Sequence, residues 1–341
     1  MSGAGLEEAA REEILRRDIL PLYFPDSPTA QDEASSFVLV AGQPGAGRGR
    51  AVSALRGEGA GEVAVVTGDG LRAFHPDAAR PIGVDPEGDA VISQTVATWV
   101  SACIRYAREH HRSLALEGTF ANAAAAAGTA ERFAAAGFAT RVVVVESRRA
   151  ESLLSVTSSH LRDVQAGRPT RFISRDVHDA GLEATRVLVA SLEETAWADR
   201  VTVLGRNGRT VFDRNRTDAV SGFVGAGAAL RDTQSTRMGR FDATQWLSEL
   251  HHTTQFAATA RDLPDAVVEL LVDLHETSLR EVIPQLHVPA MGKFATAMEH
   301  KTVAALVALR QSLPTAAAAP RVDVTAPVIS PAGPERGGLS R

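Results

Sequence analysis

Gly42-Gln43-Pro44-Gly45-Ala46-Gly47 directly follows the apolar run Phe37-Val38-Leu39-Val40-Ala41, and Arg48 and Gly49 come next. A glycine-rich turn between a strand and a helix can aim backbone N–H groups and a helix N-terminus at phosphate oxygens. The full pattern, Gly-x-x-x-x-Gly-Lys-Ser/Thr, adds a charge and a magnesium-binding hydroxyl. Here Gly42-x-x-x-x-Gly47 keeps the loop, Arg48 keeps a charge as a bulkier planar fork, and Gly49 has no hydroxyl. Lysine occurs only at Lys293 and Lys301, so none lies near this loop in the sequence. Two carboxylates follow comparable apolar runs: Asp69 after Val63-Ala64-Val65-Val66, and Glu117, with Thr119, after Leu114-Ala115-Leu116. A carboxylate beside bound phosphate suits phosphoryl transfer, where a base orients a hydroxyl and takes its proton. The competing roles are structural: Asp69 could cap the following turn, and Glu117 could be a solvated strand-end group.

These positions need a scaffold that brings strand ends together. Unbroken apolar runs, rather than alternating ones, predict strands covered on both faces, as in a parallel sheet flanked by helices. Open sheets of that class bind ligands at the carboxyl ends of their strands, where each candidate residue falls. Further strands are predicted at Val142–Val145 and Val201–Leu204, the second leading through Gly205-Arg206-Asn207-Gly208-Arg209 to an edge ribbon at Thr210-Val211-Phe212. Helices are predicted from about Ala90 to His111 and through the alanine-rich stretch to Ala136. A preliminary helix over the first ~24 residues is ended by Pro21, Pro25 and Pro28. After residue 240 the pattern is helical only, around Trp246–Ala260, Leu263–Val282 and Phe294–Leu313. The organisation is therefore an N-terminal helical segment (1–35), an α/β domain (36–216), an appended C-terminal helical region (217–313) and a disordered Pro/Ala/Gly-rich tail (314–341).

Composition removes several function classes. The 341 residues are 44% hydrophobic, ample for a core, and the net charge of -5 provides no basic footprint for nucleic acid or an anionic membrane. The N-terminus lacks the pattern of a signal peptide, and no segment approaches the ~18 apolar residues of a membrane span. The expected location is cytoplasmic. Cys103 is the only cysteine, which excludes an internal disulfide and predicts a core thiol. His110-His111 and His251-His252 are adjacent in sequence and do not share a helical face, so no metal site is expected.

Taken in order, Gly42–Gly47, Asp69-Gly70-Leu71-Arg72-Ala73-Phe74-His75-Pro76, Glu117-Gly118-Thr119, Thr170-Arg171-Phe172 with Arg175 and His178-Asp179, and the Arg206-Asn207-Gly208 turn resemble the zeta toxins. The resemblance covers roughly residues 36 to 216. It implies a P-loop nucleotide-kinase-like α/β fold and an ATP- and Mg2+-dependent enzyme that phosphorylates a sugar hydroxyl of UDP-N-acetylglucosamine. It also implies an epsilon-type antitoxin as a protein partner. Carried over by residue, Asp69 is the base and Arg171 neutralises charge on the transferred phosphoryl group. Gly42, Gln43, Pro44, Gly45, Ala46, Gly47, Arg48 and Gly49 form the nucleotide loop, and Arg72, Glu117 and Thr119 bind the acceptor, Glu117 and Thr119 alternatively organising magnesium. His75 and His178 match family positions and are expected to be structural. The chain departs from the family pattern where Ala121-Asn122 and Ser158-Ser159 replace arginines, with His160 or Arg162 able to substitute for the latter if the helix shifts. Three readings stay open: the UDP-sugar kinase, a retired fold that binds nucleotide, UDP-sugar or a protein partner without transfer, and a kinase of a different hydroxyl.

Overall fold

The computed structural model describes residues 6–25, 35–57, 63–79, 86–168, 170–194, 197–216, 222–260, 263–286 and 292–313, so the expected tail at 314–341 lies outside the described residues. Six strands, β1 (Ser36–Ala41), β2 (Ala64–Thr67), β3 (Leu114–Gly118), β4 (Ala139–Glu146), β5 (Arg200–Gly205) and β6 (Thr210–Asn215), form one sheet in the order β2-β3-β1-β4-β5-β6. The first five run parallel and β6 pairs antiparallel with β5. The apolar runs read from sequence are these strands, and Val40 to Val144-type positions are buried because both faces of the sheet are covered. From β1 the chain steps out to β2, returns to β3, and then crosses β1 to reach β4. The direction of winding reverses at the β3–β1 pair, which opens a crevice at their carboxyl ends. Register puts the candidate residues at that level: Thr67 aligns with Glu117, and Ala41 with Gly118.

The helices in chain order are α1 (Glu8–Ile14), α2 (Leu20–Tyr23), α3 (Arg48–Gly57), α4 (Gly68–Arg72), α5 (Pro86–Glu109), α6 (Ala123–Ala135), α7 (Arg149–Gln165), α8 (Arg175–Glu194), α9 (Ala226–Ser235), α10 (Arg240–Thr259), α11 (Asp265–Thr277) and α12 (Lys293–Ser312). One face of the sheet packs Phe37, Leu39, Leu116, Val142 and Val203 against Trp99, Phe133 and Leu188 of α5, α6 and α8. On the other face Val38, Val40 and Val143 meet Ala51 and Val52 of α3. A second core joins Leu153, Leu154 and Leu161 of α7 to Trp246, Leu250, Leu271 and Leu274 of α10 and α11. The same α7 thus starts at a strand end and ends in the helical region.

Two features depart from the expectations. Pro21 does not end the N-terminal helix: a π-helical turn at Leu15–Ile19, closed by Leu20 N–H on Leu15 O, carries the chain into α2 with Pro21 inside the run. Ile19 and Phe24 are then buried with Trp99, whose indole donates to the Arg11 carbonyl at 3.1 Å. The second is α9, which no sequence pattern announced. It packs Ala226 and Leu230 into the sheet core although it lies in the 217–313 stretch. The Asn-Gly turn is as expected, with Gly208 at φ +82° and its N–H bonded to Gly205 O at 2.8 Å.

Candidate active site

The loop between β1 and α3 is built by close backbone approach. Gly45 has φ +78°, and a Cβ there would stand 2.2 Å from the Ser152 carbonyl of α7. Gly47, at φ +99°, makes the second left-handed turn. Pro44 lies against Gly181 of α8, whose own Cβ would meet the ring at 2.6 Å. Gln43 is fully buried and turned into the protein: its amide donates to Ser147 O at 2.6 Å. Within the loop, then, the side chain of Gln43 serves the scaffold, while Gly45 brings the backbone against α7 and Gly47 turns it into α3.

A chain of polar contacts holds the loop from behind. Ser152 Oγ lies 3.4 Å from the Gln43 amide and 2.9 Å from His178 Nε2. His178 Nδ1 contacts Asp179 at 2.9 Å, and Arg149 grips the same carboxylate through Nε and Nη2 at 2.9 Å each. Arg149 also reaches Asp273 of α11 at 3.2 Å. Burial lowers the pKa of His178 despite Asp179, and the paired Asp179 is lowered. His178 is therefore the structural histidine that the sequence suggested, and it ties the loop to the helical region.

Two arginines bracket the loop. Arg48 folds back so that Nη1 donates to Gly42 O at 2.5 Å and Nε to Glu117 Oε1 at 3.2 Å. Arg206, from the β5–β6 turn, donates to Gly45 O at 2.5 Å and to Ser155 Oγ at 3.1 Å. Burial lowers the pKa of Arg206, but a guanidinium starts so high that it stays charged. Sequence reading gave Arg206 no role at the loop: it counted the Arg206-Asn207-Gly208 turn among the family-like motifs without assigning the guanidinium a partner. Beside it opens a polar cavity of about 800 Å3 lined by Arg50, Arg148, Arg206, Asn207, Glu146 and Trp246. Burial, reinforced by Glu151 and opposed by Arg148, pushes the Glu146 carboxyl up to about 7.

At the next strand end, Thr67 caps α4, its Oγ1 accepting from Gly70 N at 2.8 Å. The capping role considered for Asp69 thus belongs to Thr67, and Asp69 is exposed in the first turn of α4. Thr119 is half-buried and faces Gly181 of α8. Arg72 is committed to Asp89 at 3.2 Å, which anchors α4 to α5. His75 is buried, with Nδ1 accepting from Asp77 N at 3.1 Å. The structure therefore gathers the loop, Arg48, Glu117 and Thr119 at neighbouring strand ends, with Asp69 at the β2 end.

Arg171 is exposed in the stretch leading into α8. Its neighbours are fixed on α7, Thr170 at 3.4 Å from His160 and Phe172 edge-on to the same ring. His160 is thereby taken, whereas Arg162 lines the polar cavity. Ser158 bonds to Glu249 of α10. Cys103 is fully buried and its thiol is pushed up to about 12. Among the described residues no cluster of His, Cys, Asp or Glu could hold a metal ion, and no helix is long and apolar enough to cross a membrane.

Residues 23–218 match the zeta toxin family, more than half of the chain. The chain belongs to that family. Zeta toxins are kinases, and the sheet and loop described above are the α/β fold of that family. A structure from the PezAT chromosomal toxin–antitoxin system of Streptococcus pneumoniae is similar in fold, with a TM-score of 0.60 and 18% identity over 73% of this chain and 98% of that one. More distant is an AvrRxo1-ORF1:AvrRxo1-ORF2 complex with ATP, at a TM-score of 0.45 and 12% identity over 89% of this chain and 87% of that one. No curated protein matches the chain.

Proposed function

We propose that this zeta toxin family member transfers the terminal phosphoryl group of ATP to a sugar hydroxyl of a UDP-linked amino sugar, UDP-N-acetylglucosamine first among them. The carrying observation is the meeting of the glycine cradle with Asp69, Glu117 and Thr119 at adjacent carboxyl ends of β1, β2 and β3. The loop fits phosphate as a strand-to-helix turn in which Gly45 and Gly47 take left-handed φ and the N-terminus of α3 follows at once. Arg48 and Arg206 supply charge at its edges. The polar cavity beside Arg206 is large enough for the rest of a nucleotide. Magnesium would enter with the phosphates, since Gly49 offers no hydroxyl, and would neutralise their charge. Asp69 is exposed, as a base that must meet a diffusing acceptor should be, and Glu117 and Thr119 border the place that acceptor would take. The toxin–antitoxin origin of the PezAT structure makes an epsilon-like protein the partner we expect for this chain.

A second reading, binding without transfer, draws on one specific observation: Arg48 is occupied by Gly42 O and Glu117. A Cβ at Gly49 meets nothing within 4 Å, so the double variant Arg48→Lys/Gly49→Thr has room for its hydroxyl. Mass spectrometry of UDP-sugars incubated with ATP separates the two readings. Phosphorylated sugar from the wild type supports transfer. Product from the double variant alone supports the retired site, and product from neither refutes transfer to these acceptors.

A further inference from the structure

Arg48 is the first residue of α3 and stands next to Gly47, where a phosphate loop places its cation. Its guanidinium is turned to two partners of different kinds. Nη1 donates to the Gly42 carbonyl at 2.5 Å, within the loop itself, and Nε donates to Glu117 Oε1 at 3.2 Å, at the end of β3. Both charged side chains are largely covered, with 21% of Arg48 and 20% of Glu117 exposed. Ala41 aligns with Gly118, so Gly42 leaves β1 beside Glu117, and the separated Nε and Nη donors of one arginine can span both. A single cation thus ties the nucleotide loop to a carboxylate that borders the acceptor.

The two contacts differ in firmness. The bond to Gly42 O is short, whereas the Glu117 contact is long for a charged pair and uses one donor and one oxygen. It lacks the paired, two-bond fork that makes an arginine–carboxylate contact strong. Nucleotide phosphates carry several negative oxygens to the same loop, and their geometry matches a guanidinium. They are the stronger partner for Arg48.

We propose that Arg48 is an exchange residue: it covers Glu117 in the empty protein and is drawn off by nucleotide phosphate, which uncovers the carboxylate for the hydroxyls of the acceptor. The inference rests on the kinase reading above and adds an order to it, nucleotide before acceptor.

A double-mutant cycle on nucleotide affinity tests the exchange without any sugar. The full-length protein is titrated by calorimetry with adenylyl imidodiphosphate and magnesium, a nucleotide that cannot transfer its terminal group. Glu117→Gln removes the competing charge at nearly constant shape and should tighten binding about fivefold. Arg48→Met should weaken binding about tenfold. In the Arg48→Met background, Glu117→Gln should change affinity less than twofold, because no arginine is left to release. Arg48→Ala repeats that arm, so that one variant still reports if the other fails to fold. The exchange is overturned if the analogue does not bind the wild type, or if it binds Arg48→Met as tightly as the wild type. It is also overturned if Glu117→Gln gives the same gain with and without Arg48, since repulsion between carboxylate and phosphate would then explain the gain. A wild type that follows the cycle yet yields no phosphorylated sugar upholds the exchange and refutes transfer, so the two failures are distinct.

Discussion

Alanine at Gly45 places a methyl group 2.2 Å from the Ser152 carbonyl and 2.9 Å from Val156 Cγ1. The first of these atoms is backbone within α7 and cannot rotate aside, so the loop and the helix must separate by roughly 1 Å. The φ of +78° adds the left-handed cost of about 1–2 kcal/mol, and overpacking adds about 1–3 kcal/mol. The sum is about 2–5 kcal/mol of lost stability, with a displaced loop in whatever remains folded. A displacement of that size commonly costs about a hundredfold where groups must be aligned. Two neighbours calibrate the result. Gly47→Ala suffers strain alone, since its nearest contact is Arg206 Cγ at 3.9 Å, and Gly49→Ala in α3 meets nothing within 4 Å and should be neutral or slightly stabilising. Urea unfolding gives the stability order and calorimetry with ATP gives the binding order. Gly45→Ala as stable as Gly49→Ala, and binding ATP as well, would refute the account of the loop.

Glu146 holds its proton to about pH 7 in the folded protein and loses it near 4.5 when unfolded, so wild-type stability should fall by about 3 kcal/mol as pH rises between those values. Glu146→Gln, which cannot ionise, should flatten that fall in urea titrations at pH 5 and 8. Arg149→Met removes the bridge from Asp179 to Asp273 and should cost about 1–2 kcal/mol, partial solvent exposure keeping the figure low. It should also weaken nucleotide binding through His178 and Ser152, whereas an effect on stability alone would break that link. Cys103 should resist thiol reagents in the native protein and react on unfolding, followed by absorbance.

Much of this fold was legible in the chain because it rests on local patterns. The buried runs at Phe37–Ala41 and Val142–Val145 are strands, and the glycines at 45 and 47 adopt the φ values that only glycine adopts without strain. What escaped depends on distant partners. Arg206 reaches Gly45 across a separation of 161 positions, and its turn, though family-like in sequence, does not show where the guanidinium lands. Pro21 looked like a terminator because a π-helical turn leaves no period-3.6 signature. Helix α9 is short and rich in Ala and Gly, so its two buried apolar contacts give no periodic stripe.

The central claim is that Asp69 accepts the sugar hydroxyl's proton while the Gly42–Gly47 loop holds the nucleotide. Its most direct test is Asp69→Asn, with phosphorylated UDP-N-acetylglucosamine quantified by mass spectrometry and ATP affinity measured on the same preparation. The account predicts product from the wild type, a drop of about 10²–10⁴-fold in its rate of formation in the variant, and ATP affinity unchanged within about twofold. Equal turnover in the two proteins would contradict it.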